Sequence, residues 1–116
     1  MKWLLILNRR PYDGTDVTWN ALRLAQVGLD LKSDVRIFLM NDSVDLARKD
    51  AKPPTAEFDL GVMLVDLEKK GATVKLCTTC INRCGINKGA LLNDAWPGSM
   101  KDLASWVEGS ERILTF

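Results

Sequence analysis

The chain has 116 residues, of which 47% are hydrophobic and 27% charged, with a formal net charge of +1 and no histidine. That length suits one domain over residues 1–116, whose single core buries roughly two-thirds of the unfolded chain's surface. The near-neutral charge, with Lys and Arg interleaved among Asp and Glu, gives no field for nucleic acid or an anionic membrane surface, and no stretch approaches the roughly 20 apolar residues of a membrane span.

Residues 2–7, KWLLIL, form a continuous apolar run, the pattern of a strand covered on both faces. The run is short for a signal sequence and no small-residue cleavage site follows it. The expectation is therefore a buried strand in a cytoplasmic protein, where thiols stay reduced. NRRPYDGTD is loop chemistry: Pro11 fixes φ and Asp13-Gly14 favours a tight turn. Thr15 or Asp16 is placed to cap a helix over 17–32. Leu22, Ala25 and Leu29 line one side of that helix, and Leu24, Val27 and Leu31 a second, a wider apolar face than one sheet contact needs.

Residues 34–40, DVRIFLM, return to strand chemistry, and Asn41-Asp42-Ser43 is read as the cap of a short helix through residue 48. Lys52-Pro53-Pro54-Thr55 is a rigid break. Helical spacing resumes over 56–70, with Phe58, Val62 and Val65 on one line and Leu60, Met63 and Leu67 on another. Gly71 is placed to end it in a left-handed cap. A short strand over 72–76 follows, then a further strand within 88–95, a helix from the Ser99 cap through 107, and a closing strand over 112–116. Strands alternate with helices, and parallel strands need such crossovers. The expected architecture is a three-layer α/β/α fold with a mostly parallel five-stranded sheet.

Cys77, Cys80 and Cys84 are the chain's three cysteines, all in the stretch KLCTTCINRCGI. An odd number in one tight cluster speaks against a secreted disulfide framework. Sites in parallel sheets form beyond the carboxyl ends of strands, where Cys77 stands. If Thr78 and Thr79 open a helical turn, backbone N–H groups point at the Cys77 sulfur and favour its anion, with Lys75 and Arg83 as nearby cations. Three other readings stay open beside this one. Free cysteine often fills space in a core, and Cys84 reads as the packing residue of the three. Structural zinc wants four ligands, against three thiols and no imidazole here. Cys77-Thr-Thr-Cys80 also has the spacing of dithiol redox motifs, in which one sulfur attacks and the other resolves.

Several stretches together resemble the DsrE/DsrF-like family of small sulfur-relay proteins, which includes the TusD-type subunits. Pro11 to Asp16 after the opening strand, with the helix of Asn20 to Ala25, resembles the family's first strand–helix unit. Gly71 to Cys77 resembles the strand that delivers the reactive cysteine. Arg83, Gly85 and Ile86 are similar to the basic-then-glycine segment beyond it, and residues 100–116 to the closing helix and strand. The resemblance implies a DsrE-like fold, homo-oligomers such as trimers or hexamers, and a cysteine that accepts sulfane sulfur from a donor protein and passes it to an acceptor protein. That role falls on Cys77, and the exchange needs no metal or organic cofactor. Cys80 is an additional thiol beside the carrier, an auxiliary or resolving thiol that could turn a persulfide on Cys77 into a disulfide. Cys84 stands where relay members often have a second basic residue.

Arg9 and Arg10 follow the first strand and could bind an anion with the helix start near Asp16, although a solvated basic loop accounts for them as well. Asp13 and Asp16 are read as turn and cap residues rather than a catalytic pair. Trp19, Trp96 and Trp106 are expected to divide between the core and a subunit contact, with Trp96-Pro97-Gly98 helping to cover the thiols. The second apolar helix faces predict a cyclic homo-oligomer with Cys77 near a subunit boundary. The readings from other classes are a dithiol redox sensor and a non-enzymatic oligomeric module.

Overall fold

β1 (Lys2–Leu7) and β2 (Asp34–Leu39) lie parallel at the centre of the sheet, with Trp3 beside Val35 and Leu7 beside Leu39. This computed structural model describes residues 1–51, 53, 58–87 and 89–116. β3 (Thr73–Cys77) pairs with β2, β4 (Pro97–Gly98) with β3, and β5 (Arg112–Thr115) with β1, giving the order β4-β3-β2-β1-β5 with every pairing parallel. The expected five-stranded α/β architecture is therefore present. β1 is apolar from Trp3 to Leu7, and β2 and β3 are apolar on the face that α1 covers while Arg36 and Lys75 interrupt the other; Leu4, Leu5, Val35, Ile37, Leu39 and Leu76 are all fully buried.

α1 (Val17–Asp30) lies on the face that carries Trp3 and Val35. Its contact is close: a Cβ at Gly28 would stand 2.7 Å from the Trp3 ring and 3.0 Å from Val35. α2 (Leu60–Lys69) packs beside α1, burying Leu60, Leu64 and Leu67. α4 (Met100–Glu108) covers the opposite face through Trp106, whose ring meets Phe38 edge-on at 6.0 Å. The Arg36 guanidinium and the Lys75 ammonium lie over that same ring at 5.8 and 5.5 Å. Ser99 and Asp102 form the reciprocal capping box that starts α4.

Other expectations change. The segment after β2 is a 3₁₀ helix, Asn41–Ala47, preceded by Met40 and without a side-chain cap. Ser43 turns inward instead, and its hydroxyl donates to the carbonyls of Leu7 at 2.7 Å and Met40 at 2.6 Å. Asp16 occupies the position before α1 but makes no capping bond, since Asp13 organises the turn by accepting from the Thr15 hydroxyl and N–H at 2.6 and 3.0 Å. Among the described residues of 88–95 there is no strand. Leu91 makes one isolated antiparallel bridge to Arg48, and the edge strand falls later, at Pro97–Gly98, because Trp96 is buried there and its carbonyl accepts from Leu76 N–H at 3.0 Å. Residues 56 and 57 of the expected helix, and 52, 54 and 55 of the Pro-rich break, lie outside the described residues.

Candidate thiol site

β3 delivers Cys77 to the carboxyl edge of the sheet, and α3 (Thr78–Arg83) begins at the next residue. Cys77 caps that helix with its own side chain: the Cys80 N–H donates to Cys77 Sγ at 3.3 Å. The sulfur thus takes the place that a side-chain oxygen usually has at a helix start. Gly98 of β4 stands beside Cys77, and its carbonyl accepts from the Thr78 hydroxyl at 2.8 Å, which ties the start of α3 to the sheet edge. The Trp96–Gly98 segment thus flanks the thiol. Trp96 is held in the core by its indole N–H, which donates to Glu68 at 2.6 Å.

Cys80 faces a second donor. The backbone N–H of Asn41, at the start of the 3₁₀ helix, donates to Cys80 Sγ at 3.3 Å. Burial above all, then the hydrogen bond and charge of the neighbouring Cys77 sulfur, push the Cys80 thiol upward in pKa. The Asn41 N–H and the Arg83 charge act in the opposite direction. Asn41 adopts φ +53°, a left-handed backbone that asparagine tolerates better than most residues, and its side-chain amide donates to Asn8 at 2.9 Å. The ends of β1, β2 and β3 therefore meet at this one place. Asn8, Asn41 and Ser43 carry no distinctive motif. The one sequence signal was an asparagine directly after each of two apolar runs, a residue type that accepts turn geometry.

The cations divide. Arg83 is exposed on α3 and its charge reaches Cys80. Lys75 is engaged on the α4 side of the sheet, with its ammonium 3.3 Å from Asp102 as well as over Trp106. Arg9 is exposed and pairs with Asp13 at 3.6 Å, and Arg10 is exposed in the same loop. The expectation that Cys84 is a packing residue is overturned. Cys77 and Cys80 are the buried thiols, whereas Cys84 is exposed and lines a cleft of about 180 Å³ with Arg48, Asp50 and Asn87. It stands in the turn that ends α3, where the helix no longer presses a side chain on the core. Among the described residues, no group of three or more Cys, Asp or Glu side chains is arranged to hold a metal ion.

The DsrE/DsrF-like family profile matches residues 1–116. The chain belongs to the DsrE/DsrF-like family. Protein YchN of Escherichia coli strain K12 is 33% identical over 117 residues, covering 99% of this chain and 98% of YchN. An uncharacterized protein of Methanocaldococcus jannaschii is 32% identical over 116 residues, and covers both chains completely. The crystal structure of E. coli YchN superposes with a TM-score of 0.88 at 32% identity, over 100% of this chain and 99% of that one. A Bacteroides thetaiotaomicron protein of unknown function shares the fold at a TM-score of 0.71 and 19% identity, over 98% of this chain and 94% of that chain. Membership of the DsrE/DsrF-like family thus joins a cysteine at a strand end to a sulfur-relay type of protein. No helix among the described residues is long and apolar enough to cross a membrane.

Proposed function

We propose that this protein carries sulfane sulfur as a persulfide on Cys77. The observation that carries the reading is the Cys80 N–H held 3.3 Å from Cys77 Sγ at the junction of β3 and α3, in a chain of the DsrE/DsrF-like family. A thiolate attacks the outer sulfur of a donor persulfide, the S–S bond of the donor breaks, and the donor leaves as thiolate. Transfer to an acceptor thiolate repeats the exchange in reverse, and neither step needs a metal or an organic cofactor. Thr78 and Thr79, which follow Cys77, are exposed, and in this reading a donor approaches over them. The partners in this reading are a protein sulfur donor and a protein acceptor in the reducing cytoplasm. Treatment with a persulfide donor followed by mass spectrometry locates the added sulfur on Cys77. Loading that survives Cys77→Ser overturns the assignment.

The carrier acts as a homo-oligomer, a trimer or a hexamer of two trimers. Val27 of α1 and Leu31 just after it, and Val62 of α2 and Phe58 just before it, are exposed apolar residues. A groove of about 530 Å³ between α1 and α2, lined by Leu24, Val27 and Met63, adds to that surface. Apolar area of this kind is more than an isolated soluble chain ordinarily leaves in water. Light scattering at micromolar concentration is expected to give a multiple of the chain mass, and a stable monomer refutes the assembly.

The contact of Cys80 with Cys77 supports a second reading, a dithiol redox sensor that passes no sulfur on. Persulfide loading separates the two: a carrier holds added sulfur on Cys77 of Cys80→Ser, whereas a sensor holds none and shows only a Cys77–Cys80 disulfide, with a midpoint between roughly −200 and −320 mV.

A further inference from the structure

We propose that Cys80 discharges the persulfide formed on Cys77, releasing its outer sulfur as hydrosulfide and closing a Cys77–Cys80 disulfide; the step rests on the carrier reading above. The two buried thiols share one enclosure. Cys80 gives its N–H to Cys77 Sγ at 3.3 Å and receives the Asn41 N–H at its own Sγ, also at 3.3 Å. Exposures of only 8% at Cys77 and 7% at Cys80 limit how often a second molecule reaches either sulfur. A persulfide on Cys77 is therefore met first by Cys80, at the effective concentration of an intramolecular neighbour.

The bonds and electrons balance within the site. The Cys80 thiol gives up its proton, and its sulfur attacks Cys77 Sγ, the inner sulfur of the persulfide. A Cys80–Cys77 S–S bond forms as the bond from Cys77 Sγ to the outer sulfur breaks. The outer sulfur takes the electron pair and leaves as HS⁻, reduced to sulfide while the Cys80 sulfur is oxidised into the disulfide. The dithiol is regenerated by a cellular dithiol reductant, which supplies two electrons and two protons.

The surroundings of Cys80 act on it in both directions. Burial first, then the Cys77 side chain, raise its pKa and keep it a thiol, whereas the Asn41 N–H at its Sγ and the Arg83 charge favour the thiolate that attacks.

Glutathione persulfide, equimolar with the reduced protein, tests the step. Sulfide is read by bimane trapping and the cysteines by mass spectrometry. The wild type is expected to release sulfide and form Cys77–Cys80 disulfide in equal amounts. Cys80→Ser and Cys80→Ala are expected to retain the persulfide on Cys77 at least roughly a hundredfold longer, a small part of the advantage that an oriented intramolecular partner has over a bimolecular one. Cys84→Ser is expected to behave as wild type. A wild-type persulfide as long-lived as that of Cys80→Ser overturns the discharge and leaves the carrier reading standing. Sulfur found on Cys80 with Cys77 reduced also overturns it. A glutathione mixed disulfide on Cys77 of Cys80→Ser, or no product in any form of the protein, overturns the carrier reading and this step together.

Discussion

Cys80 and Cys84 are four positions apart in the sequence, and the fold gives them opposite surroundings. Cys80 is inside α3, buried, bonded to Asn41 and in contact with Cys77, whereas Cys84 stands in the turn after α3 and is exposed. The same thiol is thus shielded and held protonated in one place and open to solvent in the other. Clustered cysteines are not one site because they are close in the chain. The loops that reach them decide what each can do.

Trp96 offers the largest way to break this contrast. Its fully buried indole anchors the segment that flanks Cys77. Trp96→Ala is expected to cost about 3–5 kcal/mol in chemical denaturation. It should also bring the native labelling rate of Cys80 by a thiol reagent up toward that of Cys84. Unchanged labelling would show that this segment is not what shields the pair.

Ser43→Ala has the next largest expected effect. It removes the hydroxyl that joins the end of β1 to the turn presenting Asn41, and loss of these buried bonds is expected to cost about 1–3 kcal/mol. Labelling of Cys80 should rise while that of Cys84 stays constant. Equal increases at both thiols would point to global loosening.

A smaller change at Asn41 separates backbone from side chain. With φ at +53°, Asn41→Ala is expected to cost about 1–2 kcal/mol of left-handed strain. Asn41→Gly relieves that strain and keeps the N–H on Cys80 Sγ. The glycine variant should retain wild-type Cys80 reactivity, and a faster reaction would assign the shielding to the Asn41–Asn8 amide contact instead.

The smallest expected effect is one of pH. Cys80 titrates above the ordinary thiol value of 9.0, so its reaction with a neutral reagent should keep rising at pH values where a free cysteine has levelled off. The linkage has a definite sign. The folded pKa exceeds the unfolded one, so the contribution to stability is complete below the unfolded value and is lost as pH rises through the folded value. Denaturation midpoints on either side of pH 9 check it, and an alkaline gain in stability would contradict the shift.

Much of this was written in local pattern. The apolar run at 2–7, the two-line helices and the Ser99 signal predicted strands and helices that are present, because burial on both faces and capping bonds are set by residues close in sequence. The expected helical turn at Thr78 also formed, since it needed only the local geometry of Cys77 to Arg83. The edge strand was misplaced because a two-residue pairing is decided by where Trp96 is anchored, and its partner Glu68 is 28 positions away. The helix cap at Asn41–Ser43 was misread for a related reason. Ser43 finds better acceptors in the carbonyls of Leu7 and Met40, one of them on another strand.

The sequence by itself determined that this chain alternates strands and helices, ends its third strand in a cysteine and follows that cysteine with a helical turn. Those features depend on side-chain periodicity and on bonds between near neighbours, which act before any distant segment arrives. Tertiary structure alone decided which thiols are enclosed. Cys80 is enclosed with the Asn41 N–H against its sulfur, a contact that the segment after β2 brings from 39 positions away in the chain. Lys75 was drawn to Asp102 and Trp106 because α4 packs on that face of the sheet. Burial and charge at a point in space are sums over everything packed there, and no local run of residues contains that sum.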